Sequence, residues 1–202
     1  RLYMKKIQLL LATIFTFMFF MTNINAAGKA EKYMKQFEGK DFMMHFIMHN
    51  TINKKPAKSD VTLANKGKKQ VTKMTYEGKP VRILMEEKKI YMIVDQDKMA
   101  MDLNMIGINP STLKQPDYVG VKITSSGTDT VMGKKLPYEE MDVKNGGKIR
   151  YYFEGEKLAY ITGKNLGNDF IMEILECSSN APASLFEIPK GYRVMDGIKS
   201  LG

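Results

Sequence analysis

The sequence predicts a mainly β protein: a strongly curved antiparallel sheet of about eleven strands, an incomplete β-barrel with an N-terminal helix and a short helical lid. Three observations carry this. Between Lys69 and Leu103, short runs rich in β-branched, aromatic and methionine side chains are separated by the polar turns Glu77-Gly78-Lys79, Glu86-Glu87-Lys88 and Gln96-Asp97-Lys98. A second series follows, punctuated by Met132-Gly133-Lys134, Asn145-Gly146-Gly147 and Glu154-Gly155-Glu156. Within the runs the apolar residues alternate: Val81, Ile83 and Met85, then Ile90, Met92 and Val94, then Met99, Met101 and Leu103, which places them on one wall. So many strands overfill a flat open sheet and favour curling.

The chain opens with the layout of a secretory signal peptide. Lys5 and Lys6 precede an uncharged apolar stretch from Ile7 to Met21, which gives way to small and polar residues ending in Ile24-Asn25-Ala26. Residues 1–26 are therefore read as a signal peptide cleaved after Ala26, with Met4 as an alternative start, and 27–202 as one domain. Extension of the apolar run to Ile24 would make it an uncleaved anchor instead. No cysteine follows the run to accept a lipid, because Cys177 is the only one in the chain. A single cysteine makes no internal disulfide, so in an oxidising exterior the fold must rest on its core.

After the signal, Ala30, Tyr33, Met34 and Phe37 recur at helical spacing before Gly39, which predicts a short amphipathic helix packed on the sheet. The run from Asp41 to His49 reads as a strand with Phe42, Met44, Phe46 and Met48 on its buried face and Met43, His45, Ile47 and His49 on the other. Further strands are expected at 59–64, 69–76, 80–86, 90–95 and 98–103, and in the second meander at 119–126, 136–143, 148–154, 157–162 and 169–176. Between the meanders, 103–118 breaks the rhythm with Pro110 and Pro116. Asn109-Pro110-Ser111-Thr112-Leu113 is suited to a helical turn, and Met105, Ile106 and Ile108 make the segment apolar. It reads either as a lid over an apolar hollow or as a crossover that plugs the core.

Composition narrows the function. The formal charge is +9, falling to +6 without the three basic residues of 1–26. The lysines cluster at turns (Lys54-Lys55, Lys66 with Lys68-Lys69, Lys88-Lys89, Lys134-Lys135), where solvation and edge protection explain them, and no nucleic-acid module accompanies them. The two histidines, His45 and His49, lie in one predicted strand with no nucleophile context, and no phosphate loop, zinc spacing or calcium loop occurs. The chain is read as a non-enzyme without a cofactor. Copper is the metal that the Met43–His49 run would suit, but on a strand His45 and His49 stand about 13 Å apart, too far to share one ion. Cys177 reads as a small strand-end residue.

Fourteen of the seventeen methionines follow Ala26. Methionine specifies a packed core poorly and adapts to guests of varied shape, so a curved sheet faced with it suits a pocket for hydrocarbon; the alternative is that these side chains fill the core. The pocket would be lined by Phe42, Met44, Phe46, Met48, Met85, Met92, Met99, Met101, Met105, Ile106 and Met172.

The export signal, the short helix before Phe42, the two meanders around an apolar lid and the ending Leu185-Phe186-Glu187-Ile188-Pro189-Lys190-Gly191-Tyr192 together resemble the LolA/LppX-like family. The ending looks like that family's closing strand and turn. Arg82 and Arg150 both fall in predicted strands rather than in the lid, where the family carries an arginine. The resemblance implies an incomplete barrel whose concave face holds acyl chains of lipids or lipoproteins, as a carrier or envelope sensor in the periplasm or cell envelope. The expected partners are those acyl chains, with membrane surface or envelope proteins in addition and no nucleic acid, and the expected state is a monomer. The competing reading is a structural or partner-binding envelope protein of the same fold with a filled core.

Overall fold

A computed structural model of the chain describes residues 28–37, 40–52, 55–76, 78–106, 123–143, 147–165 and 168–195. The signal segment 1–26, the stop at Gly39, the lid beyond Ile106 and the turn at Asn145-Gly146 lie outside the described residues, as do the side chains of Met34, Met105 and Ile106.

Six strands form the first meander: β1 (Phe42–Ile52), β2 (Lys55–Lys66), β3 (Lys69–Tyr76), β4 (Lys79–Met85), β5 (Ile90–Val94) and β6 (Met99–Asp102). Five form the second: β7 (Ile123–Val131), β8 (Lys134–Val143), β9 (Gly147–Glu154), β10 (Lys157–Asn165) and β11 (Asn168–Ser178). In each, sequential strands pair antiparallel, and β1 pairs antiparallel with β11, so both meanders belong to one twelve-stranded open sheet with β7 and β12 at its edges. β12 (Arg193–Met195) lies parallel to β6. The fold is the mainly β, curved, incomplete barrel that the alternation predicts.

Alternation divides the sheet into two faces. Met44, Phe46, Met48, Val61, Leu63, Met74, Val81, Ile149, Tyr151 and Phe153 meet on the face where helix α1 (Lys29–Lys35) packs through Ala30 and Tyr33. The α1 N-terminus is held by one carboxylate: Glu139 on β8 accepts the backbone N–H of Lys29 at 2.7 Å and of Ala30 at 2.8 Å. A Cβ on Gly28 would stand 2.0 Å from Ile123 Cδ1 and under 3.0 Å from both Glu139 carboxylate oxygens, so a larger residue would have to displace the ends of these side chains.

Three pairings slip by one residue. Between β1 and β11, His45 faces Glu176 whereas Phe46 faces Ile174, so Leu175 is the extra residue and is 52% exposed. This β-bulge keeps Ile174 and Cys177 on the helix side and turns Glu176 to the other. Similar shifts occur at Ala159 in β10 and Thr124 in β7.

The structure lengthens several predicted strands, β2 most, carries β7 further along the chain and revises the ending. β2 runs from Lys55 to Lys66 because the long hairpin with β1 pairs out to Ile52 and Lys55. β7 continues past Gly127 to Val131, with Tyr138 beside that glycine, where an added Cβ would stand 3.2–3.3 Å from its hydroxyl and ring; residues 119–122 of the predicted strand lie outside the described residues. The ending at 185–192, expected as a closing strand and turn, has its turn but begins in a 3-10 turn (Ala183–Phe186), and the strand comes only after it. Pro182 and Pro189 carry no N–H for a ladder, and their carbonyls accept turn hydrogen bonds from Leu185 and Tyr192.

Arg82 holds this ending in place. It is 5% exposed and donates through Nη1 to the carbonyls of Ser184, Leu185 and Glu187 at 2.9–3.1 Å. Its other nitrogens form a fork to Asp95 at 2.7 and 2.9 Å, and Tyr192 Oη donates to the same carboxylate at 3.1 Å. The segment thereby covers Ala64, Val71, Leu84, Ile93 and Ala100 on the sheet's second face with Ala181, Leu185, Phe186, Ile188 and Tyr192.

Lysine cannot reproduce the fork or reach three carbonyls, so Arg82→Lys is expected to lower the urea-unfolding free energy by about 2 kcal/mol. Met132 sits at φ 49° beside Gly133 at φ 80° in the β7–β8 turn, with 48% of its surface exposed. Asparagine tolerates that backbone better, and Met132→Asn is expected to gain about 0.5–1 kcal/mol in the same measurement.

Candidate functional site

Of the apolar site residues predicted from the sequence, those with described side chains fall on the helix-side face, in two clusters. Met44, Phe46, Met48 and Met172 lie in the larger one, with Phe42 and Met99 packed at its border. Met92 joins Ile83, Ile90 and Leu103 in the second, bordered by Met85 and Met101. The 3-10 turn Leu103–Ile106 carries Met105 and Ile106, of whose side chains the structure describes nothing. The interior of this face is tight: Met44 is 0% exposed, Phe46 and Met172 1%, Met48 7% and Met92 8%.

Sequence reading missed much of the lining. Ile149, Tyr151 and Phe153 of β9, Met141 of β8 and Met74 of β3 belong to the same cluster. The β9 triplet has the period of two that would have revealed it. The face also carries polar atoms. The side-chain oxygens of Asn65, Gln70, Thr72 and Asn50 are buried and have no hydrogen-bond partner. Residues two positions from Leu63 and Met74 share their face, which puts Asn65, Gln70 and Thr72 among these apolar neighbours.

At the border of the cluster Cys177 meets Tyr33 of α1. Burial pushes the thiol up to about 11, against the lowering effect of its hydrogen bond with Tyr33. Burial likewise raises Tyr33. A neutral thiol against a neutral phenol is a packing contact, with no thiolate for nucleophilic work.

The opposite face of the second meander holds a cleft of about 600 Å³, lined among others by Thr130, Glu140, Lys148, Arg150, Tyr152, Lys164 and Asp169. Its centre is Glu140, 2% exposed, which accepts from Lys148 Nζ at 2.6 Å, Arg150 Nε at 2.7 Å and Ser125 Oγ at 3.2 Å. Arg150 also reaches Asp129 at 2.7 Å and stacks over the Tyr138 ring at 4.5 Å. The hydrogen bonds from Lys148 and Arg150 hold the Glu140 carboxyl down at about 2, and Glu140 in turn raises both cations. Each cation is thus matched by an acid, since Lys164 also stands 3.7 Å from Asp169. The arrangement fastens β7, β8 and β9 together.

The histidines occupy the same outer side of β1, each 3.0 Å from a carboxylate: His45 from Asp60 and His49 from Glu173. They face different partners on different neighbouring strands. Among the described residues, no group of three or more His, Cys, Asp or Glu side chains is placed to hold a metal ion. Also among the described residues, no helix is long and apolar enough to cross a membrane.

No protein-family model matches the chain, and no curated protein does. Solved structures similar to it include an uncharacterized conserved protein from Thermus thermophilus, at 8% identity and a TM-score of 0.49, covering 83% of this chain and 99% of that one. A LolA superfamily protein from Nitrosomonas europaea is similar at 7% identity and a TM-score of 0.39, over 73% of this chain and 90% of that one. LprF from Mycobacterium bovis is similar at 13% identity and a TM-score of 0.39, over 78% and 92%. All three likenesses lie at 13% identity or less and at TM-scores below 0.5.

Because the Glu140 carboxyl is held below its ordinary value, its contribution to stability is present above the unfolded carboxylate pKa and is lost as pH falls towards about 2. Acid titration of stability is expected to show a loss between about pH 4.5 and 2. Glu140→Gln should flatten that window and be less stable at pH 7, as read by urea unfolding at fixed pH.

Proposed function

We propose that this chain is a non-catalytic binding protein that holds the hydrocarbon of lipids or lipoproteins against the helix-side face of its sheet, as a carrier or sensor in the cell envelope. The observation that supports this is the extent of that face. Apolar side chains, many of them methionine, extend over this face from β6 across β4, β1 and β11 to β9 in two clusters. Among the described residues, no α1 side chain packs against the second cluster. Flexible thioether side chains can repack around a guest at small cost. A sixteen-carbon chain buried there gains about 12 kcal/mol gross at ~0.8 kcal/mol per methylene, and association costs reduce this to moderate, reversible binding.

A second reading, a structural or partner-binding domain with a filled interior, draws on the near-complete burial of Met44, Phe46, Met92 and Met172. Native mass spectrometry after gentle purification separates the two. Co-purified lipid and uptake of a fluorescent fatty acid are expected on the first reading; a bare mass with no uptake sinks it. Met85 and Met101 are half-buried at the border of the second cluster. Met85→Glu with Met101→Glu is expected to reduce uptake at least tenfold while the far-UV circular dichroism stays unchanged.

A further inference from the structure

Resting on the acyl-binding reading above, we propose that the guest is an amphiphile with an uncharged, hydroxyl-bearing head group, seated against Asn65, Gln70 and Thr72. These three side chains stand together. Asn65 of β2 pairs with Gln70 of β3, and Thr72 lies two residues further along β3, opposite Leu63 on one side and Ile83 on the other. All three share the face of Leu63, Met74 and Ile83, with Phe42 of β1 opposite Asn65 and Met85 of β4 opposite Gln70. The polar group therefore stands within the methionine-lined wall, at one end of it.

The side-chain oxygens of the three are buried and unpartnered. Thr72 is 0% exposed, whereas Asn65 and Gln70 are half-buried, so two of the group are reachable from outside and the third lies beneath. A buried acceptor without a donor is costly, and three on adjacent positions of one face form a site that a guest's donors would complete. Asn50 Oδ1 is also unpartnered, but it stands alone towards the far end of β1.

The chemistry of the head follows from hydrogen bonding and charge. A hydroxyl both donates and accepts, so it satisfies a carboxamide and a threonine together, whichever way each amide is turned. An anionic head is disfavoured by the surroundings. The lysines beside the β2–β3 turn are already engaged: Lys66 with Asp41 at 3.7 Å, Lys69 with Glu86 at 2.8 Å, and Lys68 with Glu87. A carboxylate or phosphate carries no donor for the Asn65 and Gln70 oxygens, and the nearby lysines already have acidic partners. Glycerol and sugar heads both meet the requirement.

The test is displacement of a fluorescent fatty acid by monolaurin, dodecyl maltoside and laurate, which share one chain length, each below its aggregation threshold. Monolaurin, dodecyl maltoside or both are expected to bind about tenfold tighter than laurate, and which of them does so assigns glycerol or sugar. In Gln70→Leu with Thr72→Val that preference should vanish while laurate affinity is kept. Asn65→Leu, at a half-buried position, serves the same purpose should the double variant fail to fold. Laurate binding as tightly as both hydroxylated probes, or a preference that survives these substitutions, overturns the head-group assignment and leaves the acyl-binding reading standing. Failure of every probe to displace the dye overturns both.

Discussion

The antiparallel pairing of β1 with β11 makes two meanders one sheet. β1 is eleven residues long and is paired on both sides, to β2 along its whole length and to β11 from Met43 to Asn50. Residues over 120 positions apart in the chain meet there, which is an entropically demanding closure. What offsets it is the side chains brought together at the seam: Met44, Phe46 and Met48 from β1 with Phe170, Met172 and Ile174 from β11 on the helix side. On the other side His49 meets Glu173. A slip of one residue would turn the apolar set outward and bring Glu173 inward, so burial fixes the register. The bulge at Leu175 is part of the same solution, because it restores the inward position of Cys177 after an odd count.

With the seam formed, each face needs cover, and the chain supplies it from distant places. The helix-side face receives α1, fastened at its N-terminus by Glu139. The outer face of the first meander receives the ending, fastened by Arg82 and Asp95. The outer face of the second meander is closed by Tyr152, Tyr160, Leu136 and Val131, with Glu140 and its two cations beside them. In all three places a charged group is satisfied by several partners at once, which suits a partly buried charge.

The fold was legible where one short-range rule governed. Val81, Ile83 and Met85 alternate, and the turns at Glu86-Glu87-Lys88 and Asp97-Lys98 carry the right residues, so β4, β5 and β6 could be drawn with nearly correct bounds. The seam residues Met44, Phe46 and Met48 were legible for the same reason. The bulge was not, since Ile174-Leu175-Glu176-Cys177 contains no glycine and nothing local marks the skipped residue. Arg82 is a case in between. Its fork to Asp95 spans neighbouring strands and follows from the β4–β5 register, but the three carbonyls it takes come from more than 100 residues away. At the candidate site the methionines could be read and the polar trio could not. Asn65 and Gln70 flank a lysine-rich turn, where polar residues pass for ordinary loop chemistry until the register turns them inward.

The bulges lie in β7, β10 and β11, whereas every described pairing within the first meander runs without a shift. Bulges raise twist and bend a strand, so the second meander carries much of the curvature. The rings Tyr151 and Phe153 lie there, and α1 docks there, its Tyr33 ring 6.1 Å from that of Phe153. Edge-to-face ring packing under a capped helix adds attractive contacts to this half. Met85, Met92, Met99 and Met101 stand on regular strands in the other half. On the proposed function this asymmetry has a purpose: a hydrocarbon chain can be admitted by repacking thioethers on β4–β6 while the seam and the helix keep their contacts. The polar trio borders that adaptable half, because Gln70 and Thr72 face Met85 and Ile83 across the β3–β4 pair. A head group held there would leave its chain running along the methionines rather than under the helix.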